Sequence, residues 1–247
     1  MTDKPSRPSL ALTLGGIALL LLGGAGGWLF EKNRAGGALD RAEVEQVVRE
    51  YILANPEILP EAIERLRQKE SVRQVASAGD RLFEPYPGAV LGNPNGKITL
   101  VEFSDFACTF CRASMKDVDA LIAGNPELKV VIRELPIIAA TSPNAARWGL
   151  AAADQGRYDA FHRAMFATGR TDDASIEAAA RKAGLDLDRA RNAIKEPRIE
   201  AELKANLEFA RELGLGGTPA FVVGEQLFTG AVGKEVLAKA MAEEFKS

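Results

Sequence analysis

The sequence predicts an α/β fold, and three observations predict it. An apolar run at residues 98–103 reads as a buried strand, a helical pattern occupies 108–123, and a second apolar run follows at 128–135. Together they form a strand, helix, strand unit, the parallel crossover motif. Asn93-Pro94-Asn95-Gly96 marks a turn before the first run, where residues 89–91 are a candidate short strand, and Gly124-Asn125-Pro126 stops the helix. Residues 142–213 contain no strand-like run. Their Ala, Arg and Leu recur at helical spacing, with breaks near Gly156, Gly169, Gly184 and Pro197, which predicts four or five helices. After Gly214-Leu215-Gly216-Gly217 a strand at 220–223 turns at Gly224-Glu225 and pairs back through 226–228. A helix at 233–245 closes the pattern.

Two segments precede this domain. Residues 10–30 carry no charge, and at roughly 1.5 Å per residue they reach about 30 Å, the thickness of a hydrocarbon core. Lys4 and Arg7 stand before the run and Lys32 and Arg34 after it, so the positive-inside count is tied. Two readings stay open. Trp28, Leu29 and Phe30 resume the apolar run and suit an uncleaved anchor, whereas the small residues 23–27 suit the cleavage site of a signal peptide. Either reading exports the rest of the chain if the N-terminus stays inside. The expected divisions are a membrane or signal segment at 1–34, a linker and helical arm at 35–80, and a domain at 81–247. In the arm Val44, Val47, Val48, Tyr51 and Ile52 fall on one helical face. Asn55 is the expected N-cap of a second helix with Pro56 in its first turn, and Ile63 and Leu66 continue the stripe. Pro56 and Pro60 exclude one long coiled coil.

Composition narrows the chemistry. A 247-residue chain with 47% hydrophobic and 26% charged residues is globular. Its 31 basic and 34 acidic side chains leave a formal charge of −3, so it lacks the basic field that nucleic acid rewards. Two cysteines and one histidine exclude a four-ligand structural zinc site of the usual kind. Both cysteines lie in Cys108-Thr109-Phe110-Cys111, a loop too short to stabilise a fold by closure. Their use is chemical. Where a strand runs into a helix, the first thiol of a C-x-x-C meets unpaired backbone N–H groups and the positive end of the helix dipole, which favours its thiolate. The second thiol, one turn along, is placed to attack a mixed disulfide formed at the first. The metal alternative is a two-coordinate Cu(I) thiolate site, because soft sulfur selects that ion. No other metal site is expected.

The run Val90-Leu91-Gly92-Asn93-Pro94 through Lys97-Ile98-Thr99-Leu100-Val101-Glu102-Phe103-Ser104-Asp105-Phe106-Ala107-Cys108-Thr109-Phe110-Cys111, with Gly217-Thr218-Pro219-Ala220-Phe221, resembles the DsbA family of thioredoxin-fold oxidoreductases. The resemblance covers residues 85–247 and implies a thioredoxin fold interrupted by a helical insertion, here about 142–213. It implies that Pro219 is cis beside the cysteines and that Thr218 offers backbone hydrogen bonds to a substrate segment. Read by spacing alone, Gly216-Gly217-Thr218-Pro219 is an ordinary turn. The family also carries a buried acid at the position of Glu102, placed to exchange a proton with Cys111. The apolar strand around Glu102 points to a partner or a raised pKa, and the alternative is a solvent-facing edge position.

One departure is visible. The best-known oxidases of this family have Pro-His between the cysteines, whereas this chain has Thr109-Phe110. Thr218 before Pro219 resembles the disulfide isomerases and the ScsC-like members, and residues 39–70 are similar to the trimer-building arm of the latter. The resemblance therefore implies a periplasmic protein, tethered to the inner membrane or released after signal cleavage, that oxidises or rearranges disulfides in secreted proteins. The resemblance also implies that no cofactor is needed, that electrons are exchanged with a membrane redox partner, and that the arm, residues 39–70, can build a homotrimer. A Cu(I)-binding or holdase-like protein using the same thiols without turnover is the alternative. His162, the single histidine, reads as a surface or hydrogen-bonded helix residue without a role. Trp148, Phe161, Met165 and Phe166 read as insertion core.

Overall fold

The computed structural model describes residues 40–244 together with Gly24. The expected membrane or signal segment at 1–34 and the linker up to residue 38 lie outside the described residues, Gly24 apart. Among the described residues no helix is long and apolar enough to cross a membrane. The chain divides into two compact units, Met1–Ile63 and Glu64–Ser247.

In the first unit, α1 (Arg41–Ala54) starts where the Asp40 backbone N–H donates to Glu43 Oε2 at 3.2 Å, half of a capping box. None of its residues is buried, and Val47, Val48 and Tyr51 are 57%, 50% and 60% exposed. Asn55 does not start the next helix. It ends α1, with both its backbone N–H and its Nδ2 donating to the Tyr51 carbonyl at 2.9 Å, an orphan acceptor of the last turn. The second helix, α2 (Ile58–Ala78), begins three residues later and holds Pro60 in its first turn, where no backbone N–H is required.

The second unit is built on a five-stranded mixed sheet. Its strands are β1 (Val90–Gly92), β2 (Ile98–Ser104), β3 (Leu128–Glu134), β4 (Ala220–Val223) and β5 (Gln226–Thr229), in the order β1-β3-β2-β4-β5. The pair β2 and β3 is parallel, joined by α3 (Thr109–Gly124), and the other pairs are antiparallel. Five helices separate β3 from β4: α4 (Ser142–Ala153), α5 (Tyr158–Thr168), α6 (Asp173–Lys182), α7 (Leu187–Ala193) and α8 (Pro197–Glu212). The last helix is α9 (Lys234–Glu244).

Strand β2 is central, and successive side chains point to opposite faces. Leu100 joins Val130, Ile132 and Phe221 under α3, α9 and the insertion, while Val101 and Phe103 join Val131, Leu135 and Val222 on the other face. Feeding two cores explains why β2 reads as a continuous apolar run. The second core also takes Val75 and Ala78 from α2 and Leu82 from the 3-10 turn Asp80–Phe83. Ser71 Oγ donates to the Glu225 carbonyl at 2.9 Å and accepts from Leu227 N at 2.7 Å. The expected boundary at residue 80 therefore moves to Ile63, because the last turns of the arm helix supply buried surface to the domain.

Candidate active site

The chain enters the site from the C-terminal end of β2. Asp105, 1% exposed, makes the turn. Its Oδ1 accepts from Ala107 N at 2.8 Å and Ser142 Oγ at 2.7 Å, and its Oδ2 accepts from Ile137 N and Ile138 N, both at 2.8 Å. Four donors on one carboxylate satisfy a buried charge, and they tie the first turn of α4 and the loop after β3 to the turn that carries the cysteines. The sequence reading missed Asp105. Its bond to the N–H two residues on is an Asx turn, which an Asp placed between a strand and a helix foreshadows.

Cys108 is the N-cap of α3. Its Sγ accepts from Cys111 N at 3.2 Å and lies 3.2 Å from the Thr218 carbonyl oxygen, to which its thiol donates. A sulfur in the cap position takes the place of the side-chain oxygen that ordinarily accepts from an orphan N–H of the first turn. Both thiols are free. Cys108 is 5% exposed and Cys111 not at all, so the two thiols differ by a small opening above Cys108. Burial first, and then the bond with Cys108, push the Cys111 pKa up, and the negative field of Glu102 adds to the rise. The Thr218 hydroxyl, buried and without a well-aligned hydrogen-bond partner, acts in the opposite sense on Cys111.

The Thr218–Pro219 peptide bond is cis. It precedes β4, which pairs antiparallel with β2 (Phe103 with Ala220), so the sheet itself brings residue 218 to Cys108 across 110 positions of sequence. Glu102 lies on the central strand with 3% exposure and not at an edge. Burial pushes its pKa up to about 8, with the Ser104 hydroxyl acting against the rise. The structure thus brings Cys108, Cys111, Glu102, Thr218 and Pro219 to one end of β2.

Around this centre, Phe110 is 67% exposed, and Ile137 and Ile138 are 44% and 49% exposed on the loop that Asp105 holds. These side chains form an apolar rim. Beneath it stands His162, which is neither at the surface nor hydrogen-bonded. It is 1% exposed, neither ring nitrogen has a partner, and its ring packs on Phe106, Tyr158 and Phe166 at 4.9–5.6 Å between centroids. Burial lowers its pKa to about 3, so the ring is neutral. Among the described residues no group of three His, Cys, Asp or Glu side chains is arranged to hold a metal ion.

Residues 99–242 match the family described as DSBA-like thioredoxin domain, and residues 40–71 match the copper resistance protein ScsC N-terminal domain. A thioredoxin-like oxidoreductase from Silicibacter pomeroyi DSS-3 is 37% identical, over 68% of this chain and 98% of that one, with a TM-score of 0.65. The thiol-disulfide exchange protein alpha-DsbA2 from Wolbachia pipientis is 30% identical over 72% of this chain and 97% of its own, with a TM-score of 0.66. Proteus mirabilis ScsC in a transitional conformation is 30% identical over 84% of this chain and 97% of its own, with a TM-score of 0.62. The curated Na(+)/H(+) antiporter NhaA 1 of Salinispora arenicola is 28% identical over 66% of this chain and 25% of its own length, so the chain spans about a quarter of that relative.

Proposed function

Since the chain belongs to the DSBA-like thioredoxin domain family, we propose that it is a protein thiol-disulfide oxidoreductase that forms or rearranges disulfides in exported proteins through Cys108 and Cys111. The observation that carries this reading is the seat of Cys108 Sγ, 3.2 Å from both Cys111 N and the Thr218 carbonyl oxygen. In the disulfide state a substrate thiolate attacks Cys108 Sγ, the bond to Cys111 breaks, and its electron pair passes to Cys111 Sγ. A second substrate thiolate then attacks the substrate sulfur of the mixed disulfide and releases Cys108 as the thiolate. In the dithiol state Cys108 attacks a wrong substrate disulfide, and Cys111 resolves the adduct if the substrate does not. The Thr218 carbonyl is freed for a substrate backbone N–H once the Cys108 thiol loses its proton. The apolar rim of Phe110, Ile137 and Ile138 suits unfolded polypeptide.

A periplasmic location belongs to the same proposal, with residues 10–30 as anchor or cleaved signal, and so do a membrane redox partner and a homotrimer formed through residues 39–70. The exposed apolar face of α1 supports the last. Insulin reduction and refolding of scrambled ribonuclease test the activity. A protein inactive in both that binds Cu(I) tightly would instead support the sequestering reading, for which the two free thiols one turn apart are the ligands.

A further inference from the structure

Two buried acids share the face of the sheet that carries the cysteines. Glu102 and Ser104 alternate along β2, and Glu134 of β3 is the register partner of Ser104, as Ile132 is of Glu102. All three polar side chains therefore stand on one face, with exposures of 3%, 2% and 1%. Tyr158 of α5 donates its hydroxyl to Glu134 Oε1 at 2.7 Å. Helix α4 closes over the carboxyl at Gly149, where a Cβ would stand 2.9 Å from Glu134 Oε1 and 3.2 Å from the Phe106 ring. Ser104 Oγ is close enough to Glu102 to act on its pKa, yet it forms no hydrogen bond with any group. A buried hydroxyl left unpaired beside a carboxyl is costly, and such an exception to the pairing of buried groups points to a catalytic role.

We propose that Glu134, held by Tyr158, is a second proton-holding group coupled to Glu102 through the Ser104 hydroxyl, and that it takes up the charge left when Cys111 is protonated. This rests on the exchange reaction proposed above. When the Cys108–Cys111 bond breaks, the electron pair arrives on Cys111 Sγ, which takes the proton of Glu102. Ser104 passes its hydroxyl proton to Glu102 and receives the proton of Glu134. The carboxylate so formed on Glu134 accepts the Tyr158 hydrogen bond. In the reverse step Cys111 returns its proton by the same route, and its sulfur attacks the mixed disulfide.

The groups that face Glu134 are consistent with one shared charge. Glu102 of β2 and Asp105 of the turn both act to keep its proton on, burial being the larger cause, while Tyr158 acts to remove it. Asp105 is held by its own four donors, His162 of α5 is neutral, and Arg133 projects to the opposite face with Phe209. Two carboxyls in such a site cannot both ionise at neutral pH.

The test reacts the reduced full chain with 5,5′-dithiobis(2-nitrobenzoate). Attack by Cys108 releases one coloured thiolate, and attack by Cys111 on the resulting adduct releases a second. Glu134→Gln, which keeps a partner for Tyr158, is expected to lower the ratio of second to first release at pH 7 roughly tenfold, the equivalent of about one pKa unit. It is also expected to move the pH midpoint of the second release. In the infrared difference spectrum between disulfide and dithiol, two buried carboxyl bands are expected. Glu102→Gln and Glu134→Gln each remove one, and Tyr158→Phe shifts only the Glu134 band, a reading that survives if Glu134→Gln fails to fold. A release ratio and spectrum left unchanged by both Glu134→Gln and Tyr158→Phe overturn the coupling alone. A wild-type chain that releases neither thiolate overturns the exchange reading itself.

Discussion

At the scale of single residues, the site separates two sulfurs that are three positions apart. Cys108 has the cap position and the small opening, whereas Cys111 is sealed and holds its proton. Cys111→Ser is expected to accumulate mixed disulfides with substrate proteins and Cys108→Ser none, as read on non-reducing gels. Alkylation of the dithiol form at mildly acidic pH should label Cys108 first. The Glu102 carboxyl, whose pKa is about 8 when folded, loses its proton at lower pH in the unfolded chain. Stability therefore falls as pH rises from about 4.5 to 8, and Glu102→Gln should stabilise the protein by about 3 kcal/mol at pH 7 in urea titrations. His162 has the opposite slope. Its folded pKa of about 3 lies below the unfolded value, so its contribution is complete above pH 6.5 and is lost as pH falls. His162→Phe should recover about 3 kcal/mol at pH 4.5 and little at pH 7.5.

At the scale of elements, α2 serves both an arm and a domain, and its last turns are the ones the sheet requires. Ser71 bridges the turn between β4 and β5, and Val75 and Ala78 complete the core beside Phe103 and Phe209. A chain beginning at Glu64 should unfold cooperatively in thermal melts, whereas one beginning at Gly79 should melt lower and expose dye-binding apolar surface. Ser71→Ala strips the Glu225 carbonyl and the Leu227 N–H, both in part-buried hydrogen bonds, of their partner and should cost about 1 kcal/mol. This division was not legible in the sequence. The helical pattern of 39–77 gives no sign of where exposed apolar residues end and buried ones begin, because burial depends on which strands lie opposite.

At the scale of the molecule, the apolar face of α1 is uncovered in the single chain: Val44, Val47, Val48 and Tyr51 are each more than 40% exposed. Such a stripe is stabilised by self-association. An oligomer raises the effective concentration of one active site for a substrate already held by another, which favours repeated rearrangement over a single oxidation. Light scattering at tens of micromolar should find a chain beginning at Asp40 oligomeric and one beginning at Glu64 monomeric. Val48→Asp should dissociate the longer chain while its thiols still react, and scrambled-ribonuclease refolding should slow in both dissociated forms.

What the sequence by itself determined is local or nearly so. The parallel crossover, a strand-free insertion of four or five helices and the placing of Cys108 at a helix start follow from apolar periodicity and stop signals within windows of a few turns. The motif around the cysteines and the Gly-Thr-Pro segment carried the family, and with it the expectation of a cis Pro219 that spacing alone reads as a turn. Only the tertiary structure decided which polar residues are buried together. Glu102, Ser104 and Glu134 belong to two strands whose register is set by sheet pairing, and Tyr158 comes from a helix packed over them. Burial and pairing set their proton affinities, and both are properties of the assembled core that no window of sequence contains. His162 shows the same limit: its helix was legible, but its aromatic enclosure is formed by Phe106 of the active-site turn and by its own helix folding onto that turn.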